Sequence, residues 1–340
     1  LAASTTLSGY VSTGYKFNNG GANGGYFRSD QGRNAFSLDV VDLKLSSAQG
    51  DGAMDTGYTV ELWMGPAASD IGTNDSGANS TDTVALMQAN IDLRISGIDL
   101  KVGQFGTVVG NEVYNYNENA FYTHSYGFAV EPTHHTGLLA SYTVSDGLQV
   151  SAGLANTTGP ETNGSTQGNG SSKTWLASVS YTLPSGTGAL AGTELYYGLV
   201  TGSATSSTTG DDNNDYHYAS ITLPELVANL SISATWDHVE YDAQVADSNV
   251  AGLHLSYALD ADTTLNVRYE MGNTNPLAAG DLPGTFADNA DGLQSVTVGV
   301  NRKIWENVIS RLEYRNDTKD VTDGTDDSQS VVALNLIYSF

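Results

Sequence analysis

Cysteine is absent from this chain of 340 residues. That removes three classes together: a disulfide-stapled secreted domain, thiolate metal centres and cysteine nucleophiles. Long apolar runs are missing as well. No stretch of 18 or more apolar residues occurs, so the sequence holds no transmembrane helix. Proline is scarce at 7 residues, and the Ala, Leu, Glu and Lys-rich stretches of long helices are lacking. Basic side chains are few: 13 Lys and Arg stand against 38 Asp and Glu, a formal net charge of −25. Such a chain repels phosphate, which excludes nucleic acid as a partner and disfavours adsorption to an anionic bilayer surface. The chain begins Leu1-Ala2-Ala3-Ser4, without Met or a charged leader. It therefore reads as a mature chain whose signal peptide is gone or was not included, and the N-terminus alone does not prove export.

What is present is glycine, with 38 residues, tyrosine, with 19, and a persistent two-residue alternation. Leu7, Gly9, Val11, Thr13, Tyr15 and Phe17 share one face of the first segment, and Ser8, Ser12, Gly14 and Lys16 the other. Phe36, Leu38 and Val40 continue the pattern. Val41, Leu43 and Leu45 then follow out of step by one residue, as a β-bulge requires. The same texture recurs to the end, where Val332, Leu334, Leu336, Tyr338 and Phe340 alternate. Short turns such as Ser96-Gly97, Asp146-Gly147 and Asp260-Ala261-Asp262 take turns with long polar loops.

About 16 such segments, in a range of about 14–18, predict an all-β chain forming one transmembrane antiparallel β-barrel over residues 1–340. Short turns belong on the periplasmic side and long loops outside. A β-sandwich of this length would need two or three domains with linkers, and a solenoid would show a fixed period; neither is found. The alternate face carries Ser, Thr, Asn, Asp and Arg, which form no dry core but suit a wet lumen. Tyr142, Tyr181, Tyr257, Trp305, Tyr338 and Phe340 fall beside the short turns, as an interfacial aromatic girdle requires.

Three stretches carry a resemblance. Gly103-Gln104-Phe105 with Ser125-Tyr126-Gly127-Phe128-Ala129-Val130-Glu131-Pro132-Thr133-His134-His135-Thr136-Gly137, and then Gly153-Leu154-Ala155-Asn156-Thr157, is similar to the OmpL-like β-barrel porins. The resemblance implies a porin-like barrel in the outer membrane, amid its lipid and lipopolysaccharide, passing small hydrophilic solutes or ions by diffusion. It gives no solute. The terminal strand ending in Phe340 resembles the C-terminal strand that the barrel-assembly machinery recognises. By analogy with general porins the expected assembly is a homotrimer.

In 16-stranded general porins the loop after the fifth strand narrows the lumen. Here residues 106–132 occupy that place and hold Glu112, Glu118 and Glu131 among many aromatic residues. An aromatic-rich loop packs rather than waves, so the expected site is an inward-folded acidic constriction. Parity places Lys44, Arg94, Arg268, Arg311 and Arg315 on the lumen face, and Lys101 joins them as a basic pore wall. A basic wall opposite an acidic loop sets up a transverse field. The same residues paired with Asp92 and Glu313 would form plain lumen ion pairs, and the sequence leaves both readings open.

Catalysis is not expected. His124-Ser125 and His254-Leu255-Ser256 are the close Ser/His pairs, and neither has a recognisable third member. His134-His135 point to opposite sides of a strand and cannot share a metal ion. No cofactor is expected, although Asp211-Asp212-Asn213-Asn214-Asp215 and Asp323-Gly324-Thr325-Asp326-Asp327 are oxygen-rich enough to be candidate calcium loops. A second reading is a structural or adhesive surface barrel whose acidic loops bind partners or divalent cations.

Overall fold

A computed structural model describes residues 5–18, 35–70, 83–159, 173–203, 213–241, 247–274, 290–321 and 327–340. Within them the alternating segments are strands: β1 (Thr6–Asn18), β2 (Ala35–Ser47), β3 (Met54–Met64), β4 (Val84–Ile95), β5 (Ile98–Gly106) and β6 (His134–Ser145). There follow β7 (Leu148–Ala155), β8 (Thr174–Thr182), β9 (Glu194–Ser203), β10 (Asn213–Thr222) and β11 (Leu230–Tyr241). The last are β12 (Asp247–Ala258), β13 (Thr263–Thr274), β14 (Ala290–Trp305), β15 (Val308–Val321) and β16 (Asp327–Ser339). Every strand pairs antiparallel with its sequence neighbours, and β1 pairs with β16, which closes the sheet into a barrel. Closure satisfies the backbone groups that lipid cannot, and it leaves no edge. No helix of the described residues is long and apolar enough to cross a membrane.

The two faces separate as the alternation predicts. Leu253, Tyr269, Val298, Leu312 and Leu334 are outward and exposed, while Asn266, Arg268, Glu313 and Asn335 between them are buried on the inside. Each of the six girdle aromatics is exposed near a short turn.

Two of the register shifts in the sheet overturn simple parity at named apolar residues, and both aim side chains inward. The register shifts where Ser12 faces Val40 and Thr13 faces Leu38, so Asp39 is the extra residue. Asp39 and Val40 are both buried inside. The shift therefore precedes Val40, which does not share the outer face of Leu38 as its spacing suggested. A second shift between Glu61 and Leu62 makes Met87 the extra residue of β4. Met87 is buried rather than aligned with outward Ile91. A bulge inserts one residue and flips the face of everything before it, which period-two counting cannot see without the partner strand.

Strands also outrun their apolar stretches. Asp317 and Asp320 belong to β15 and Asn213 to Asp215 belong to β10, although their composition reads as loop. The remainder of the two candidate calcium segments, Asp211, Asp212 and residues 323–326, lies outside the described residues.

Candidate functional site

The connection from Thr107 to Thr133 joins β5 to β6 and lies inside the barrel. Its course is set by contacts with strands far around the wall. Val108 and Val109 pack with Leu176, Val200 and Tyr218. The Tyr196 hydroxyl donates to Val108 O at 2.5 Å. This approach needs a glycine opposite, since a Cβ on Gly198 would sit 2.2 Å from Val108 O. Gly110, at φ 101°, turns the chain where a Cβ would meet the Glu131 carboxylate.

Farther on, Tyr116 stacks on Trp63 at 5.7 Å between centroids. Its N–H donates to the Tyr10 hydroxyl at 3.1 Å. Tyr122 N–H donates to Glu313 at 2.6 Å and its hydroxyl donates to Asp39 at 2.6 Å. A one-turn helix, α1 (Tyr126–Val130), is capped by Ser125, whose Oγ accepts from Phe128 N–H at 3.0 Å. Ser125 thus holds a helix end, as a serine at that position normally does.

Three of the predicted wall arginines lie beneath this loop and do not face open lumen. Arg268 pairs with Glu112 of the loop, approaches Glu270 at 3.1 Å and donates to Thr123 O. Arg311 donates to the Tyr116 and Asn119 carbonyls at 2.5 and 2.6 Å. Arg315 pairs with Asp317 at 2.9 Å and donates to His124 O. Arg268 and Arg315 are 0% exposed and Arg311 is 3%. These guanidinium groups anchor the loop, because a loop folded inward strands backbone carbonyls that only inward donors can satisfy. The other basic residues keep some exposure. Lys44 pairs with Glu61 at 3.2 Å, Lys101 with Asp92 at 3.2 Å, and Arg94 forks onto Asp99 beside the turn at Ser96-Gly97.

The three loop glutamates converge. Glu112, Glu118 and Glu131 line one cavity of about 190 Å³ between the loop and the β2–β6 side, and Lys44 lines it with them. Their states differ. Burial alone would raise the Glu112 carboxyl. Arg268, His124 and the Ser125 N–H, which donates at 2.8 Å, outweigh it and hold Glu112 below the usual carboxylate range. Glu131 is pushed up, first by burial and then by the neighbouring Asp237 carboxylate. Glu118 is exposed.

Sequence reasoning missed most of the wall acids that complete the dock: Asp39, Glu61, Asp237 and Glu270. The available signal was inward parity beside a basic residue, as in Arg268-x-Glu270. No group of three or more metal-ligating side chains occurs among the described residues.

A family model described as "Putative beta-barrel porin-2, OmpL-like" matches residues 4–340. The chain belongs to this family. As an OmpL-like porin it is an outer-membrane channel for the diffusion of small hydrophilic solutes. No curated protein matches it. Among solved structures its fold is similar to an anion-selective porin from Comamonas acidovorans, with 12% identity, 99% of each chain covered and a TM-score of 0.65. It is similar also to Salmonella typhi OmpF in complex with daunomycin, with 14% identity, 99% of this chain and 97% of that one covered, and a TM-score of 0.65. OmpT of Vibrio cholerae in its trimer form has 14% identity, 99% of each chain covered and a TM-score of 0.63. At such identities the likeness is one of fold.

Proposed function

We propose that this OmpL-like porin conducts passively through a bore set by the loop of Thr107–Thr133, with a preference for cations and without catalysis. The carrying observation is that Glu112, Glu118 and Glu131 line the cavity left beside a loop pinned to the inner wall. The basic groups that oppose them there are engaged: Arg268 on Glu112 and Lys44 on Glu61. Low-dielectric walls reduce screening, so a carboxylate in such a passage acts strongly on a passing ion. The protein functions as a homotrimer, by analogy with the Vibrio cholerae trimer form. It sits among lipid and lipopolysaccharide after insertion by the barrel-assembly machinery through its terminal strand.

Single-channel recording in planar bilayers tests this. Nanosiemens-scale steps are expected. Deleting Asn115 to Tyr122 should raise conductance, since Arg311 and Glu313, freed of the loop, become hydrated by the widened lumen. Unchanged conductance and solute size limit would place the constriction elsewhere.

A further inference from the structure

The cavity beside the loop has a chemical character finer than its charge. Its aromatic lining is Tyr114, Phe128 and His134. Tyr114 and Phe128 meet edge to face at 5.6 Å, and Tyr114 and His134 lie 5.1 Å apart, so the rings form one continuous apolar corner. Beside it stands Asn115. Both N–H groups of its amide are engaged, donating to Glu61 at 2.8 Å and to Glu118 at 3.0 Å. That fixes the amide's orientation and leaves Oδ1 as an acceptor. Asn115 is 8% exposed, and Oδ1 accepts no hydrogen bond from any described residue. Oδ1 itself is sealed from the cavity, so Asn115 serves the site by holding the Glu118 carboxylate in place.

The charges lining the cavity decide which donor. Glu112 is neutralised by Arg268, and Lys44 by Glu61. Glu131 shares its surroundings with Asp237 and is pushed toward its neutral form. His134 is buried against Thr133, 3.1 Å away. Glu118 is exposed, and among the described residues it has no cationic partner within ion-pair distance. It is therefore the uncompensated charge of the cavity.

We infer that the cavity is a subsite for small arylalkyl-ammonium ions, the ammonium held by the Glu118 carboxylate, which the Asn115 amide positions, and the apolar body laid against Tyr114 and Phe128. An ammonium carries three donors and no acceptor, which matches a carboxylate. The aromatic faces add apolar contact and attraction for the cation. A bare inorganic cation uses the first half of this site and an arene carboxylate only the second. The inference rests on the channel reading above.

The test records purified full-length protein in a planar bilayer in KCl, with phenethylammonium chloride added to one side. Phenethylammonium should reduce the single-channel current in a concentration-dependent way; ammonium chloride and sodium phenylacetate at the same concentrations should not. Glu118→Gln should raise the half-blocking concentration roughly tenfold, as expected for one charge-assisted hydrogen bond. Tyr114→Leu should raise it roughly fivefold through the lost ring. A barrel silent in KCl overturns the channel reading and this one with it. Open KCl steps that phenethylammonium leaves untouched, or that phenylacetate blocks equally well, overturn this inference alone. So does equal block of wild type and Glu118→Gln.

Discussion

At the scale of single residues, the distinction that matters is between charges that anchor and charges that face the passage. Arg268 touches Glu112, Glu270 and the Thr123 carbonyl at once, so Arg268→Met leaves two buried carboxylates without their cation. Where the site stays dry such a loss costs about 3–5 kcal/mol. Water entering from the lumen lowers that figure. The expected result is a lower urea midpoint for the refolded barrel together with noisier, larger single-channel steps. Glu131 gives a pH dependence whose sign follows from its raised carboxyl. A group that holds its proton more tightly when folded contributes stability that is complete below its unfolded titration range and is lost as pH rises through the folded one. Loop docking should therefore weaken as pH rises from acid. Glu131→Gln should flatten that dependence in urea titrations run at several pH values; an unaltered slope would show that another group is responsible. In the sequence, the alternation around Arg311, Glu313 and Arg315 revealed that these residues face inward. It did not reveal that they hold backbone carbonyls and N–H groups, because those belong to a segment nearly 200 positions away, with separations such as 195 and 191.

At the scale of elements, the strands were legible and the bulges only partly so. Period-two alternation is a local property, so β1, β12 and β16 could be read directly. The face of Met87 depends on how Glu61 and Leu62 pair across β3 and β4, which no local pattern encodes. The same dependence refines where arginine is tolerated. At outward Val267 or Leu334, Arg should cost about 2–4 kcal/mol near the bilayer midplane. Ser256, inward and half-buried, should accept it. Asn335 is a poor control despite facing inward, because it is fully buried and donates to Ser12 Oγ at 2.9 Å and to Thr13 O at 3.0 Å. Folding yield in lipid vesicles, read by gel shift, separates the three cases. Equal yield at Leu334 and Ser256 would contradict the assigned faces.

At the scale of the whole molecule, a closed barrel of this kind should be heat-modifiable. Unboiled and boiled samples should migrate differently on a gel, and circular dichroism should be β-dominated; a helix-rich spectrum would contradict the architecture. The net charge of −25 pulls toward cations in the long-range field, and the local arrangement around Glu118 pulls the same way. Reversal potentials in a KCl gradient should accordingly report cation preference. Replacing Glu112 and Glu118 with Gln should move them toward anions, with Glu118 the larger contributor because Glu112 is already held by Arg268.

Tyr116 and Tyr122 have one more consequence. Tyr116 reaches Tyr10 on β1 and, through its carbonyl, Arg311 on β15; Tyr122 reaches Asp39 on β2 and Glu313 on β15. Between those strands runs the line where β1 meets β16, the place where the two ends of the chain are stitched together. The loop is thus a clasp over its own barrel's seam, and the clasp cannot fasten until the first and last strands have met. The full set of contacts exists only when the seam is closed, and the seam cannot part without breaking some of them. Weakening it with Tyr122→Phe or Glu313→Gln should speed the opening of the barrel in denaturant more than it slows closing, because contacts made last are absent from the transition state.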